Sequence, residues 1–119
     1  MKLESILAYL DGYLGVTAHP DYPNAFNGLQ VEGPREVTHL CTAVDASEAA
    51  ITEAVHRNAH LLVVHHGLFW DGLRPLTGRR YRKIARLIRG ELGVYSIHLP
   101  LDAHAEIGNC ILLTRALEI

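Results

Sequence analysis

The chain has 119 residues, 49% hydrophobic and 20% charged, with a formal net charge of −2 at neutral pH. That balance excludes intrinsic disorder and fits a single α/β domain spanning residues 1–119. The faintly negative charge excludes the basic footprint of a nonspecific nucleic-acid binder, and no apolar run is long enough to form a membrane-crossing helix.

Leu3, Ile6, Leu7, Leu10 and Leu14 recur at helical spacing, which predicts an opening amphipathic helix that stops near Gly12 or Gly15. Glu4 and Asp11 fall where a secretory signal would be apolar, so the expected compartment is the cytoplasm. Residues 19–33 read as loop, punctuated by Pro20, Pro23, Asn27-Gly28 and Gly33-Pro34, with room for a short strand at Leu29-Gln30-Val31. Asn27-Gly28 is read first as a turn signal, without chemistry of its own. Residues 37–44 alternate and are β-branched, as a strand is. Ser47 looks like the cap of a helix over 48–58, with Ala49, Ala50, Ala54 and Val55 on its packing side.

Leu61-Leu62-Val63-Val64 is a continuous apolar run of the kind buried on both faces of a parallel sheet. A Gly- and Pro-punctuated loop over 67–78 precedes a helix over 79–91, with Tyr81, Ile84, Ala85 and Ile88 on one side. A further strand covers 94–97, Pro100 diverts the chain from regular structure, and a last helix starts near Asn109. Cys41 and Cys110 form no C-x-x-C and suggest neither a disulfide framework nor a zinc knuckle. Strand and helix alternate as a βαβαβ unit, so the fold class is α/β: a mostly parallel sheet flanked by helices. Right-handed crossovers make the three main strands parallel and bring their carboxyl ends to one edge.

That edge collects the residues with chemistry. The strands end in Val44-Asp45, in Val64-His65-His66-Gly67 and in Ile97-His98-Leu99-Pro100-Leu101-Asp102. Ligand groups of open α/β sheets gather at such edges, because the strands are rigid and the loops are free. Two adjacent histidines with a carboxylate on the neighbouring strand point to a divalent-metal site with His65, His66 and Asp102 as core ligands. Successive strand residues face opposite ways, so His65 and His66 share one ion only if the chain turns at Gly67. Otherwise each serves its own ion, with Asp102 bridging a pair about 3.5–4 Å apart. Imidazole and carboxylate without thiolate favour zinc, iron, manganese, nickel or cobalt.

Other polar groups are weighed against plainer roles. His98 is either a ligand or a group that relays protons and orients Asp102 or a bound water, and is the candidate catalytic residue. Asp45, just ahead of Ser47, reads as a turn or capping residue, and His104 as solvent-facing. His19, His39, His56 and His60 have no convergent partners in the sequence. Phe69-Trp70 either walls the pocket or, as such pairs more often do, packs or meets another subunit. Arg79, Arg80, Arg82, Lys83, Arg86 and Arg89 could attract phosphate-bearing substrates, but such a run is more often the solvated face of a helix.

Asn27-Gly28-Leu29-Gln30-Val31, residues 63–70, residues 98–104 and Gly108-Asn109 together resemble the Nif-three-like family of dinuclear-metal proteins, many of which bear the name GTP cyclohydrolase type 2 homolog. The resemblance runs through the whole chain and covers the first of two α/β halves. It implies a toroidal hexamer, a pair of metal ions in each complete site, His65, His66 and Asp102 as ligands, and His98 close by. It further implies that the second half supplies a His and a Glu to the same ions, so the site here is incomplete unless another polypeptide finishes it. Two functions are expected to compete: a metal-dependent hydrolase acting on a phosphate-bearing small molecule, and a noncatalytic metal-binding scaffold.

Overall fold

The computed structural model describes residues 1–70 and 72–119. In chain order it forms α1 (Leu3–Tyr13), β1 (Gly28–Val31), β2 (Leu40–Asp45), α2 (Glu48–His56), β3 (Leu61–His66), α3 (Gly78–Arg89), β4 (Gly93–Ser96), α4 (Leu99–Asp102) and α5 (Asn109–Ala116). The four strands make one sheet in the order β1-β4-β3-β2. β2, β3 and β4 run parallel, with Leu61 opposite both Leu40 and Gly93, and β1 returns antiparallel along β4.

The continuous apolar run of β3 is explained by its place between β2 and β4. Alternate side chains enter different cores. Leu62, Val64 and Val94 meet Ile51 and Ala54 of α2 and Leu87 of α3. Leu61, Tyr95 and Ile97 meet Leu3 and Leu14 on the other face, with Ile6, Leu7 and Leu10 of α1 packed against them. Ser47 caps α2 as the sequence suggests, its side chain accepting from Ala50 N at 3.0 Å. No helix among the described residues is long and apolar enough to cross a membrane.

Four local expectations need correction. Strand β2 begins at Leu40 rather than at 37, because the preceding segment pairs with the chain's start: Val37 N donates to Met1 O at 2.8 Å, and the Met1 amine donates to Val37 O at 3.0 Å. On α2 the buried face centres on Ile51 and Ala54, while Ala49 is exposed. On α3 the core takes Leu87 and part of Ile84, and leaves Tyr81 and Ile88 53% and 65% exposed. Ile84 belongs to both possible stripes, and cations flank each of them, so periodicity alone does not choose. Pro100 also acts otherwise than expected: it stands in the first turn of α4, where its missing N–H costs nothing and its fixed φ is already helical.

Candidate metal centre

The last rungs of the central ladder set the geometry. Val64 lies opposite Ser96, and Val64 O accepts from Ile97 N at 2.9 Å. Beyond that rung β3 stays extended through His65 and His66, while the chain leaves β4 at His98 with φ −99° and ψ −110°. No turn at Gly67 is needed for the two histidines to meet. Past the end of the ladder their rings approach to 4.5 Å between centroids, and His98 closes the group at 5.0 Å from His65 and 5.6 Å from His66. One nitrogen from each ring lies within 4.8 Å of the others, a spacing that could hold a metal ion.

Each ring is fixed from behind. His65 Nδ1 donates to the Ile97 carbonyl at 3.0 Å, His66 Nδ1 to Asp45 Oδ1 at 2.7 Å, and His98 Nδ1 to Asp21 Oδ1 at 3.0 Å. A carbonyl or carboxylate oxygen only accepts, so each Nδ1 carries a proton, and in the neutral ring it is Nε2 that offers the lone pair. This is the arrangement of metal-binding histidines, whose second nitrogen is almost always held by an oxygen acceptor. Two nitrogens bonded to one ion at about 2.1 Å lie at most about 4.2 Å apart, so small ring rotations bring the trio onto an ion. The residues present therefore fit a divalent transition metal.

Asp21 is the main residue that the sequence did not reveal. Its side chain is only 6% exposed. Burial alone would raise its carboxyl, but bonds from Asn27, His98 and the backbone of Tyr22 and Leu99 outweigh this and bring it down to about 2. Asn27 joins the parts: Nδ2 donates to Asp21 Oδ2 at 2.8 Å, and Oδ1 accepts from His98 N at 2.7 Å. Gly28, at φ +100°, turns the chain there as few other residues could. Gln30 fixes the other histidine strand, its Oε1 accepting from Leu68 N at 2.6 Å, and a Cβ on Gly67 would collide with the Gln30 carboxamide. The Asn27-to-Gln30 segment is thus more than a turn.

The remaining sequence candidates find definite places. Asp102 is outside the tight trio but beside it, with Oδ2 3.6 Å from His65 Nε2 and Oδ1 accepting from Asn109 Nδ2 at 2.6 Å. Asp45 does not cap α2; it orients His66. His104 faces the protein rather than solvent, with Nε2 on Tyr13 O at 2.9 Å and Nδ1 accepting from Glu106 N and Ile107 N. His39 and His60 do converge, both on Thr38 Oγ1 at 3.0 and 3.2 Å, at the amino end of the sheet. Trp70 walls the site: its ring stands edge-on to His98 at 4.7 Å and to His66 at 6.1 Å.

Comparison with known proteins follows the same residues. The family model described as Duf34/NIF3 (NGG1p interacting factor 3) matches residues 1–119. A relative from Pyrococcus horikoshii named GTP cyclohydrolase 1 type 2 homolog is 40% identical over all of this chain and 47% of its own length. One of the same name from Archaeoglobus fulgidus is 44% identical over 97% of this chain and 46% of its own length. The crystal structure of TTHA1606 from Thermus thermophilus superposes with a TM-score of 0.92 at 44% identity, covering 98% of this chain and 48% of that one. The chain spans about half the length of the relatives it matches.

Proposed function

Since the chain belongs to the Duf34/NIF3 family, we propose that it binds divalent transition metal through His65, His66, His98 and Asp102 and contributes this donor set to a metal-dependent hydrolase. The observation that carries the reading is the committed Nδ1 proton of all three rings, which makes Nε2 the donor each neutral ring offers at one sheet edge. Asp102 supports it, lying within 3.6 Å of His65 Nε2. His98 is assigned to the donor set along with its partners, because Asp21 holds it as Asp45 holds His66. Zinc, iron, manganese, nickel and cobalt all suit imidazole with carboxylate.

A bound ion of this kind supplies Lewis-acid chemistry, acidifying water and polarising the bond under attack. The chain's own residues do the rest. His65 and His98, with side chains 13% and 12% exposed, form the inner wall, and His66 at 45% marks the open side. Trp70 limits water on one flank. Three imidazoles and one carboxylate do not saturate two ions, since even a catalytic zinc uses about three protein ligands. We assign the missing ligands to polypeptide outside these residues.

Anomalous diffraction tests the reading. Density for an ion bonded to His65, His66 and His98 is expected, and maps with no ion bonded to them would overturn it. Self-association, as a toroidal hexamer, belongs to the same proposal. Leu40 and Val44 on the edge strand β2 are 46% and 65% exposed and offer apolar contact area. Sedimentation as a lone 13.2 kDa species at high concentration would remove the assembly part.

A further inference from the structure

The cations of α3 do not share one role. Arg82 Nε donates to Glu48 Oε1 at 3.0 Å, and Arg86 reaches Thr52 Oγ1, so both serve the seam with α2. Arg79 and Lys83 stand one turn apart, and neither has an ion-pair partner among the described residues. With Arg80, Leu68, Phe69 and Ile84 they line a hollow of about 240 Å³. Among its described lining residues there is no carboxylate.

Glu48 acts on both cations through its charge but is itself bonded by Arg82, so the arrangement stays costly without an occupant. Like charges one helical turn apart repel, and cations in the first turn of a helix oppose its dipole. The first turn of α3 carries no acid, and its cap residue Thr77 makes no capping bond. Burial, followed by the nearby Arg79, holds the Lys83 ammonium below its ordinary range. An anion in the hollow relieves all three penalties together.

The hollow also lies beside the histidines. Leu68 and Phe69 follow His65-His66-Gly67 directly in the chain. Asp45, which holds His66 Nδ1, also acts on Lys83 through its charge. We propose that this hollow binds the phosphate group of a small-molecule ligand, with Arg79 and Lys83 as its anchors. That the ligand's reacting bond then falls at the histidine cluster rests on the metal reading above; phosphate binding itself does not. An arginine fork beside an ammonium suits a doubly charged phosphate monoester. Leu68, Phe69 and Ile84 give an apolar wall for the group that the phosphate carries.

Calorimetric titration with inorganic phosphate and with phenyl phosphate, in metal-loaded and in chelator-treated protein, tests this. One saturable site is expected in both preparations, with phenyl phosphate bound more tightly because its ring meets the apolar wall. Arg79→Gln with Lys83→Gln should weaken binding by about tenfold or more, while Arg89→Gln, outside the hollow, should leave it nearly unchanged. Undiminished binding in the double variant, an equal loss in Arg89→Gln, or phenyl phosphate bound no better than phosphate would each overturn the proposal. If the double variant does not fold, phenyl phosphate should still shield Lys83 of the unsubstituted protein from acetylation, read by peptide mass. Equal labelling with and without it would also overturn the proposal. The His65→Ala, His66→Ala protein should keep the site, so its phosphate binding and its metal content fail independently.

Discussion

Replacing His65 and His66 together by alanine should lower the divalent metal that co-purifies with the protein by at least about tenfold, as read by elemental analysis after dialysis. Loss of a single residue that merely orients a ligand costs about 10- to 100-fold in metal affinity. Loss of two nitrogens from a trio within 4.8 Å must cost more. The fold should survive, because the β3–β4 ladder ends at Ile97 N to Val64 O, the β2–β3 rung at His66 uses backbone atoms alone, and the two cores are built from other residues. Unchanged circular dichroism with depleted metal is therefore the expected pair of results. Equal metal in the two proteins would sink the assignment of His65 and His66 as ligands.

Asn27→Ala should destabilise the protein by about 3 kcal/mol in urea denaturation. The change leaves the His98 N–H without its acceptor, at about 1–3 kcal/mol, and removes a bond to a charged carboxylate, at about 1.5–3 kcal/mol. Both bonds are part-buried rather than fully enclosed, which puts the expected sum toward the lower end. The pH dependence identifies the mechanism. Asp21 is held near 2 against an ordinary 3.8, so its bonds contribute stability above that ordinary value, and the contribution is lost as pH falls from 3.8 towards about 2. Without Asn27 the folded-state pKa rises and this contribution shrinks. The stability gap between the two proteins should then narrow as the pH falls through that window. A gap under about 1 kcal/mol at neutral pH would mean that Asn27 is only the turn residue it resembles.

How much of this is legible in the sequence depends on how far apart the interacting residues lie. Strand ends are local features, and parallel crossovers place them on one edge, so the sequence alone brings His65, His66, His98 and Asp102 together. Asp45 is misleading because a capping serine stands two residues away, and a nearby cap is the simpler use for an acid. Asp21 gives no signal: it lies in an irregular loop, and its partner His98 is 77 positions on. Asn27 is hidden by Gly28, since the pair spells a turn whatever the asparagine's side chain does. The buried face of α3 is lost in its own charge, with cations beside every apolar position.

The acceptors behind the three rings have a consequence for how metal enters. Ile97 O, Asp45 and Asp21 by themselves hold the imidazoles in one tautomer and one orientation. On the proposed metal reading, an ion arriving at these three donors would wait on no ring to flip and would need only small rotations of rings already held. First capture by the trio is then expected to be a single encounter, its rate rising in proportion to ion concentration without reaching a plateau. The slow event would lie with the ion, in the departure of its own waters, rather than with the protein. Discrimination among divalent metals would then be a contest of ligand-exchange rates, with a labile ion expected at the site ahead of an inert one of equal size and charge.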